Sequence, residues 1–214
     1  MNTIITIGRQ YGSGGREIGQ KIAAHYGINF YDNELIAKVA KESGFCQEIV
    51  RQQDESPTNS FLYNLVMDTY SFGFSNSAFS DMPISQKVFL AQYDTIKKIA
   101  EEEGAGVIIG RCADCALQDF PNMISVFFHA DEEFRITRAA GYPDVPEEDK
   151  ATPDKLRDFI LRKDKQRQSY YNYYSMKKWG RADTYDLSID TGLLGVDDTV
   201  QLMTQVIEHF ENRS

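Results

Sequence analysis

The chain has 214 residues, 42% of them hydrophobic, which suits a single α/β domain around one core. Its 32 acidic and 23 basic residues give a net charge of −9; long-range repulsion then argues against general nucleic-acid binding but allows a small anion in a local basic pocket. No stretch approaches 18 uncharged apolar residues, so no membrane span is expected. Three cysteines, an odd number, fit a reducing and therefore cytoplasmic setting better than a disulfide framework.

Residues 3–8 read as a buried strand, and "MNTIITIG" has no signal-peptide pattern. Ile18, Ile22 and Tyr26 recur at helical spacing, with Gly27 as the C-terminal stop. A short strand is expected at 28–31, then a helix capped by Asp32 or Asn33 and ending near Gly44. Residues 45–55 read as helical. Residues 56–83 mix Ser, Asn and Gly with Phe61, Tyr63, Tyr70, Phe72, Phe74 and Phe79 and keep no period. This stretch is expected to be an insertion: a lid or base-binding flap, an oligomer surface, or a plain loop.

A helix follows at 85–103, then the apolar strand "AGVIIGR", ending in Gly110 and Arg111. "ISVFFHA" gives a further strand, "DEEFRITRAAG" a helix, 153–174 a long helix and "YDLSID" the last strand. The final helix is placed at about 196–210. Strands alternating with helices imply a mostly parallel five-stranded sheet covered on both faces. Ligands in such sheets bind beyond the carboxyl ends of the strands. Those ends carry the glycine turn, Asp32, Arg111, Asp131 and Asp190.

The turn is Gly12-Ser13-Gly14-Gly15. Glycines tolerate positive φ and leave backbone N–H groups open to an anion, and the helix behind adds the positive end of its dipole. The usual phosphate-binding pattern is GxxxxGK[ST]. One register sets Arg9 at its first glycine and Gly15 at its lysine; the next sets Gln10, Arg16 and Glu17 at the glycine, lysine and Ser/Thr. Neither fits. Arg16 or Arg9 is left to supply the missing charge, because a guanidinium grips phosphate oxygens in pairs. Ser13, or an acid elsewhere, is left to serve Mg²⁺. A purely structural turn is the competing reading.

The stretches "GRQYGSGGREIG", "VIIGRCAD", "HADEEFRITR" and "RKDKQRQSYYNYYSMKKWGRADTYDLSIDTGLLG", in this order, resemble the cytidylate-kinase-like family, a branch of the P-loop nucleoside monophosphate kinases. The resemblance runs from Thr3 to about Phe210. It implies a three-layer P-loop kinase fold forming one domain over 1–214, with an acceptor-side insertion at 45–84 and a mobile lid at about 135–183. It also implies ATP as phosphate donor, with Mg²⁺, and CMP or dCMP as acceptor. Arg9, Gly12, Ser13, Gly14, Gly15, Arg16 and Glu17 would hold the donor. Arg16, Arg111, Arg138 and Arg162 would act on the transferred group, and Asp32, Arg111, Arg135, Asp164 and Arg167 would hold the acceptor. Gln166 and Ser169 depart from the charged residues of the housekeeping enzymes, which leaves Lys165 and Arg167 as candidates only. Partners would be small nucleotides, without nucleic acid or membrane, and a homo-oligomer is allowed.

The helix at 153–174 supports this reading from its own residues. Phe159, Ile160, Tyr170, Tyr171 and Tyr174 form an apolar face, and Lys163, Asp164 and Arg167 interrupt it. Buried charges need partners or a ligand-filled cleft, although a surface helix with snorkelling stems would look similar. Lys177, Lys178 and Arg181 around Trp179 are either ligand cations or a solvated loop. Asp32 could position the acceptor or simply cap its helix.

Three other functions compete. Cys112-x-x-Cys115 could be a redox pair, but Cys46, His25, His129 and His209 form no metal-site spacing with it. A dinucleotide-binding turn would need a glycine or alanine where Glu17 stands. The missing lysine also leaves room for a nucleotide sensor without turnover.

Overall fold

The computed structural model describes residues 1–55 and 82–213; the aromatic stretch expected to be a flap lies almost wholly outside them. Five strands, β1 (Ile4–Arg9), β2 (Phe30–Tyr31), β3 (Gly106–Ile109), β4 (Met123–His129) and β5 (Leu187–Asp190), form one sheet in the order β2-β3-β1-β4-β5. Every pairing is parallel, so the sheet is wholly rather than mostly parallel.

Helices cover both faces: α1 (Gly15–Tyr26), α2 (Asn33–Ser43), α3 (Gln47–Gln53), α4 (Ile84–Glu103), α5 (Ala113–Ala116), α6 (Glu132–Ala139), α7 (Glu147–Lys150), α8 (Pro153–Ser175) and α9 (Thr191–Glu211). Strand alternation decides which residue meets which layer. Ile4 and Ile108 face a core built with α2, α3 and α4. Ile5, Ile7, Val107, Ile109, Val126 and Phe128 face the opposite core, against α1 and α9. Continuous apolar runs are what a strand covered on both sides requires.

The helix ends follow the chemistry expected of them. Gly27, Gly44 and Gly104 stop α1, α2 and α4 in the left-handed conformation. Asp131 caps α6, Thr152 caps α8 ahead of Pro153, and Asp190 caps α9. Two acids of the expected polar rim, Asp131 and Asp190, are thus bonded to backbone N–H groups. The last helix begins at Thr191, earlier than its periodicity indicates, and breaks at Gly195, with φ 77° and ψ 169°. The regular pattern starts only beyond that break.

Gly19 lets α1 lie close on the sheet. A Cβ there would stand 2.9 Å from Ile7 Cδ1, 3.0 Å from Phe30 Cε2 and 3.1 Å from Ile109 Cδ1. Gly19→Val should therefore cost about 1–3 kcal/mol through overpacking, read as a lower urea midpoint. Unchanged stability would mean that this helix–sheet contact is looser than it looks.

Candidate active site

Strand β1 delivers Arg9 and Gln10 to the carboxyl edge of the sheet, where the chain turns through Gly12 and Gly14 at φ 82° and 84°. A Cβ on Gly12 would lie 2.5 Å from the Arg135 carbonyl oxygen, so only glycine fits. The turn is fastened from behind. Ser13 Oγ donates to the Gln10 carbonyl at 2.9 Å, and the Thr191 hydroxyl lies 2.6 Å from the Ser13 carbonyl and 2.9 Å from that of His129. Gln10 Oε1 accepts from the Ala130 N–H at 3.2 Å. By contrast, no acceptor is found among the described residues for the N–H groups of Gly12, Gly14, Gly15, Arg16 and Glu17. Five such donors lie within one turn at the N-terminus of α1, the kind of arrangement that binds anionic oxygens.

Tyr11 joins this turn to α8. Its N–H donates to Asp164 Oδ1 at 2.6 Å, its carbonyl accepts from Arg135 at 3.4 Å, and its hydroxyl donates to Asp144 at 2.8 Å. Its ring packs edge-on against Phe159 and Tyr142 and lies under the Arg167 guanidinium, 5.4 Å from centroid to Cζ. Asp164 also accepts from Arg135 at 2.6 Å. Burial raises the Asp164 carboxyl, while the Tyr11 N–H, Arg167 and Arg135 work against that rise. The charges that interrupt the α8 face are therefore partnered inside the protein, and the snorkelling surface helix is excluded for Asp164 and Arg167. Lys163 stays over the Phe159 ring, and Lys165 is exposed.

Apart from Arg135, held by Asp164, the arginines expected to hold the substrates divide into three groups. Arg9, Arg111 and Arg167 meet. Arg9 holds both Glu55 oxygens at 2.8 and 3.3 Å, and Arg167 reaches the same carboxylate at 3.5 Å. The Arg111 N–H donates to it at 3.2 Å. The Arg111 guanidinium, 2% exposed, grips Asp54 at 2.7 and 2.8 Å, donates to the Ile109 carbonyl at 3.0 Å and lies 3.5 Å from Asp32. Gly110, Arg111 and Cys112 all have positive φ, a left-handed turn that folds Arg111 back under the strand ends. Two non-glycine residues in that region cost roughly 1–2 kcal/mol each, the sort of strain found at functional positions.

Arg16 and Arg138 flank the glycine turn instead. Arg16 donates through Nε to Asp32 at 2.6 Å with its side chain 55% exposed. Arg138 donates to Glu17 at 2.5 Å, and its Nε is buried without a partner, 3.5 Å from where a Gly14 Cβ would be. Arg162 joins neither group: it lies over Phe159, 3.6 Å from Asp149. Asp32 stands at the α2 N-cap position but makes no cap bond, because its oxygens face Arg16 and Arg111. Its capping role is thereby corrected.

Behind the arginines opens a cavity lined in part by Gly8, Asp114, Tyr171, Trp179 and Tyr185. Tyr171 donates to Asp114 at 2.5 Å, Trp179 packs edge-on against Phe127, and the Tyr185 hydroxyl is buried without a partner. Lys177 approaches Asp114 at 3.8 Å, whereas Lys178 is exposed and Arg181 pairs with Asp183 in solvent. Burial pushes the Cys112 thiol well up and that of Cys115 up to about 12, the opposite of a reactive thiolate. No group of three metal-ligating side chains occurs among the described residues. Ser13 is fully buried with its hydroxyl turned inward, Arg16, at the hydroxyl position when Gly15 stands for the lysine, is drawn to Asp32, and Glu17 is taken by Arg138 and Lys21.

Sequence reasoning missed Asp54, Glu55, Tyr11 and Thr191. The two acids end an ordinary helical stretch and carry no local signal, since their partners lie 46 and 57 residues away along the chain.

Two effects follow. Asp164→Ala should cost about 3–5 kcal/mol in urea unfolding, because it strands the buried Arg135 charge. Glu55 behaves differently: burial alone would raise its carboxyl, yet Arg9, Arg167 and Arg111 hold it at about 2 instead of 4.5. The folded pKa is the lower one, so this stabilisation is complete above the unfolded value and fades as pH falls from 4.5 towards 2. Glu55→Gln should flatten that part of the stability–pH curve; an identical curve would contradict the assignment.

The chain is 29% identical to an uncharacterized protein from Eubacterium ventriosum, with a TM-score of 0.69 over 96% of this chain and 98% of that one. The shikimate kinase of Bacteroides thetaiotaomicron shares the fold at 14% identity and a TM-score of 0.54, over 96% and 98% of the two chains. No curated protein matches significantly. No helix among the described residues is long and apolar enough to cross a membrane. The family model for the cytidylate kinase-like family matches residues 4–193, and with its all-parallel sheet and glycine turn the chain belongs to that family of P-loop kinases.

Proposed function

We propose that the protein transfers a phosphoryl group from ATP to a nucleoside monophosphate, with CMP or dCMP the favoured acceptor. The single observation that carries this reading is the set of five N–H groups between Gly12 and Glu17 without an acceptor among the described residues, at a strand edge rich in arginine. Phosphoryl transfer asks a protein mainly to align two phosphate-bearing groups and to neutralise their charge. One like-charge contact at 4 Å opposes this by roughly 4 kcal/mol at an effective dielectric of 20.

The turn would hold the donor phosphates, with Arg138 and Arg16 beside them. Arg111, braced by Asp54 and Asp32, would take the acceptor phosphate. The cavity lined by Asp114, Trp179 and Tyr185 has a volume of about 20 Å³, room for about one water, so a base would enter there only as these side chains part. Mg²⁺, arriving with ATP, would offset charge on the phosphates; the described residues offer it no ready set of ligands. The 45–84 stretch would serve the acceptor and the 135–183 region the lid. Arg162, drawn to Asp149, has the weakest claim among the arginines.

A second reading has its own support. Gly15 and Arg16 stand where lysine and a hydroxyl residue are usual in the register that aligns Gly14 with the motif's second glycine, so the site could bind a nucleotide as a sensor without turning it over. A screen of nucleoside monophosphates and small hydroxyl acceptors, followed by coupled ADP release with and without Mg²⁺, separates the two. ADP formation with CMP or dCMP is expected, and nucleotide binding without ADP formation would favour the sensor. Arg111→Lys, which keeps the charge but loses the paired geometry, should lower kcat/KM roughly 10²-fold.

A further inference from the structure

Glu55 occupies a place that suits a substrate better than a structural ion pair. Its carboxylate receives two N–H groups from Arg9, one close approach from Arg167 and the Arg111 N–H. Arg167, its side chain 17% exposed, is crowded by Arg9; burial and that like charge lower its pKa, and an anion between the two guanidinium groups offsets their repulsion. Three guanidinium groups here face the carboxylates of Asp54, Asp32 and Glu55, so an anion that took the place of Glu55 would leave Arg9 and Arg167 paired.

A second observation links this place to the missing lysine. A Cβ on Gly15 would lie 2.9 Å from Arg9 Cβ and 3.2 Å from Phe128. The residue at the lysine position must therefore be glycine, because the Arg9 stem occupies the space. Arg9, only 12% exposed, then runs across the strand ends to Gly110, where its guanidinium and Glu55 leave no room for a side chain. Arg16, the other candidate, is drawn outward to Asp32.

We propose that Arg9, with Arg167 and the Arg111 N–H, forms a seat for a phosphoryl group that replaces the lysine of the usual loop, and that Glu55 fills this seat until substrate displaces it. Glu55 is thereby an internal competitor. The inference rests on the phosphotransferase reading for its purpose, but its test needs no turnover.

Binding of inorganic pyrophosphate, followed by calorimetry and thermal shift, measures the seat directly. Glu55→Gln should bind pyrophosphate at least about tenfold more tightly than the unaltered chain, a difference of about 1.4 kcal/mol. Glu55→Asp, which withdraws the carboxylate by one methylene, should move the same way and serves if the amide variant is poorly folded. Adding Arg9→Met to either variant should erase the gain, and Arg9→Lys should restore part of it. Orthophosphate titrated with and without a non-hydrolysable ATP analogue then identifies the source. Mutual exclusion assigns the seat to the γ-phosphoryl of the donor, and independent binding assigns it to the acceptor. Unchanged affinity in the Glu55 variants, or a gain that survives Arg9→Met, overturns the proposal. An inactive protein that still shows the Glu55 and Arg9 effects would overturn the kinase reading alone.

Discussion

The site depends on the direction in which the glycine turn makes its hydrogen bonds. A backbone N–H inside a protein is normally paired, and five consecutive or near-consecutive exceptions need a structure that forbids local partners. Gly12 and Gly14 at positive φ turn their amides to one side, while the Ser13 carbonyl is tied to Thr191 and the Gln10 carbonyl to Ser13. The loop is rigid on its carbonyl side and open on its amide side. Asp164 accepts from the Tyr11 N–H and so ties the start of the loop to α8.

Charge is managed by the same logic of directed partners. An acidic protein assembles arginines at one edge of its sheet and matches them with buried acids: Asp54 and Asp32 for Arg111, Glu55 for Arg9 and Arg167, Asp164 for Arg135. Each guanidinium is kept in a defined geometry at the cost of being already partnered. A ligand would have to exchange with a carboxylate rather than enter an empty electropositive hole. Burial makes that exchange consequential, since an acid released from its arginine must find water or another partner.

The positions of Arg9 and Gly15 explain why the loop fails a motif search yet keeps its shape. The motif assumes that the cation grows from the helix. Here a cation grows from the preceding strand, and the helix gives up its side chain to admit it.

The sequence by itself determined the alternation of strands and helices, the parallel sheet, the helix stops at Gly27, Gly44 and Gly104, and the glycine turn between β1 and α1. These follow from local periodicity and from conformations that only certain residues adopt. It also led to the expectation that Arg9, Arg16, Arg111, Arg135, Arg138 and Arg162 share one cleft, whereas of these only Arg9 and Arg111 meet over Glu55. Only the tertiary structure decided which arginine meets which acid. Asp54 and Glu55 look like the end of any surface helix until the sheet brings Arg9 and Arg111 beside them, and Arg162 looks equivalent to Arg167 until the turn of α8 sends one to Asp149 and the other over Tyr11. Pairings across tens of residues are set by the packing of layers, and no spacing along the chain encodes them.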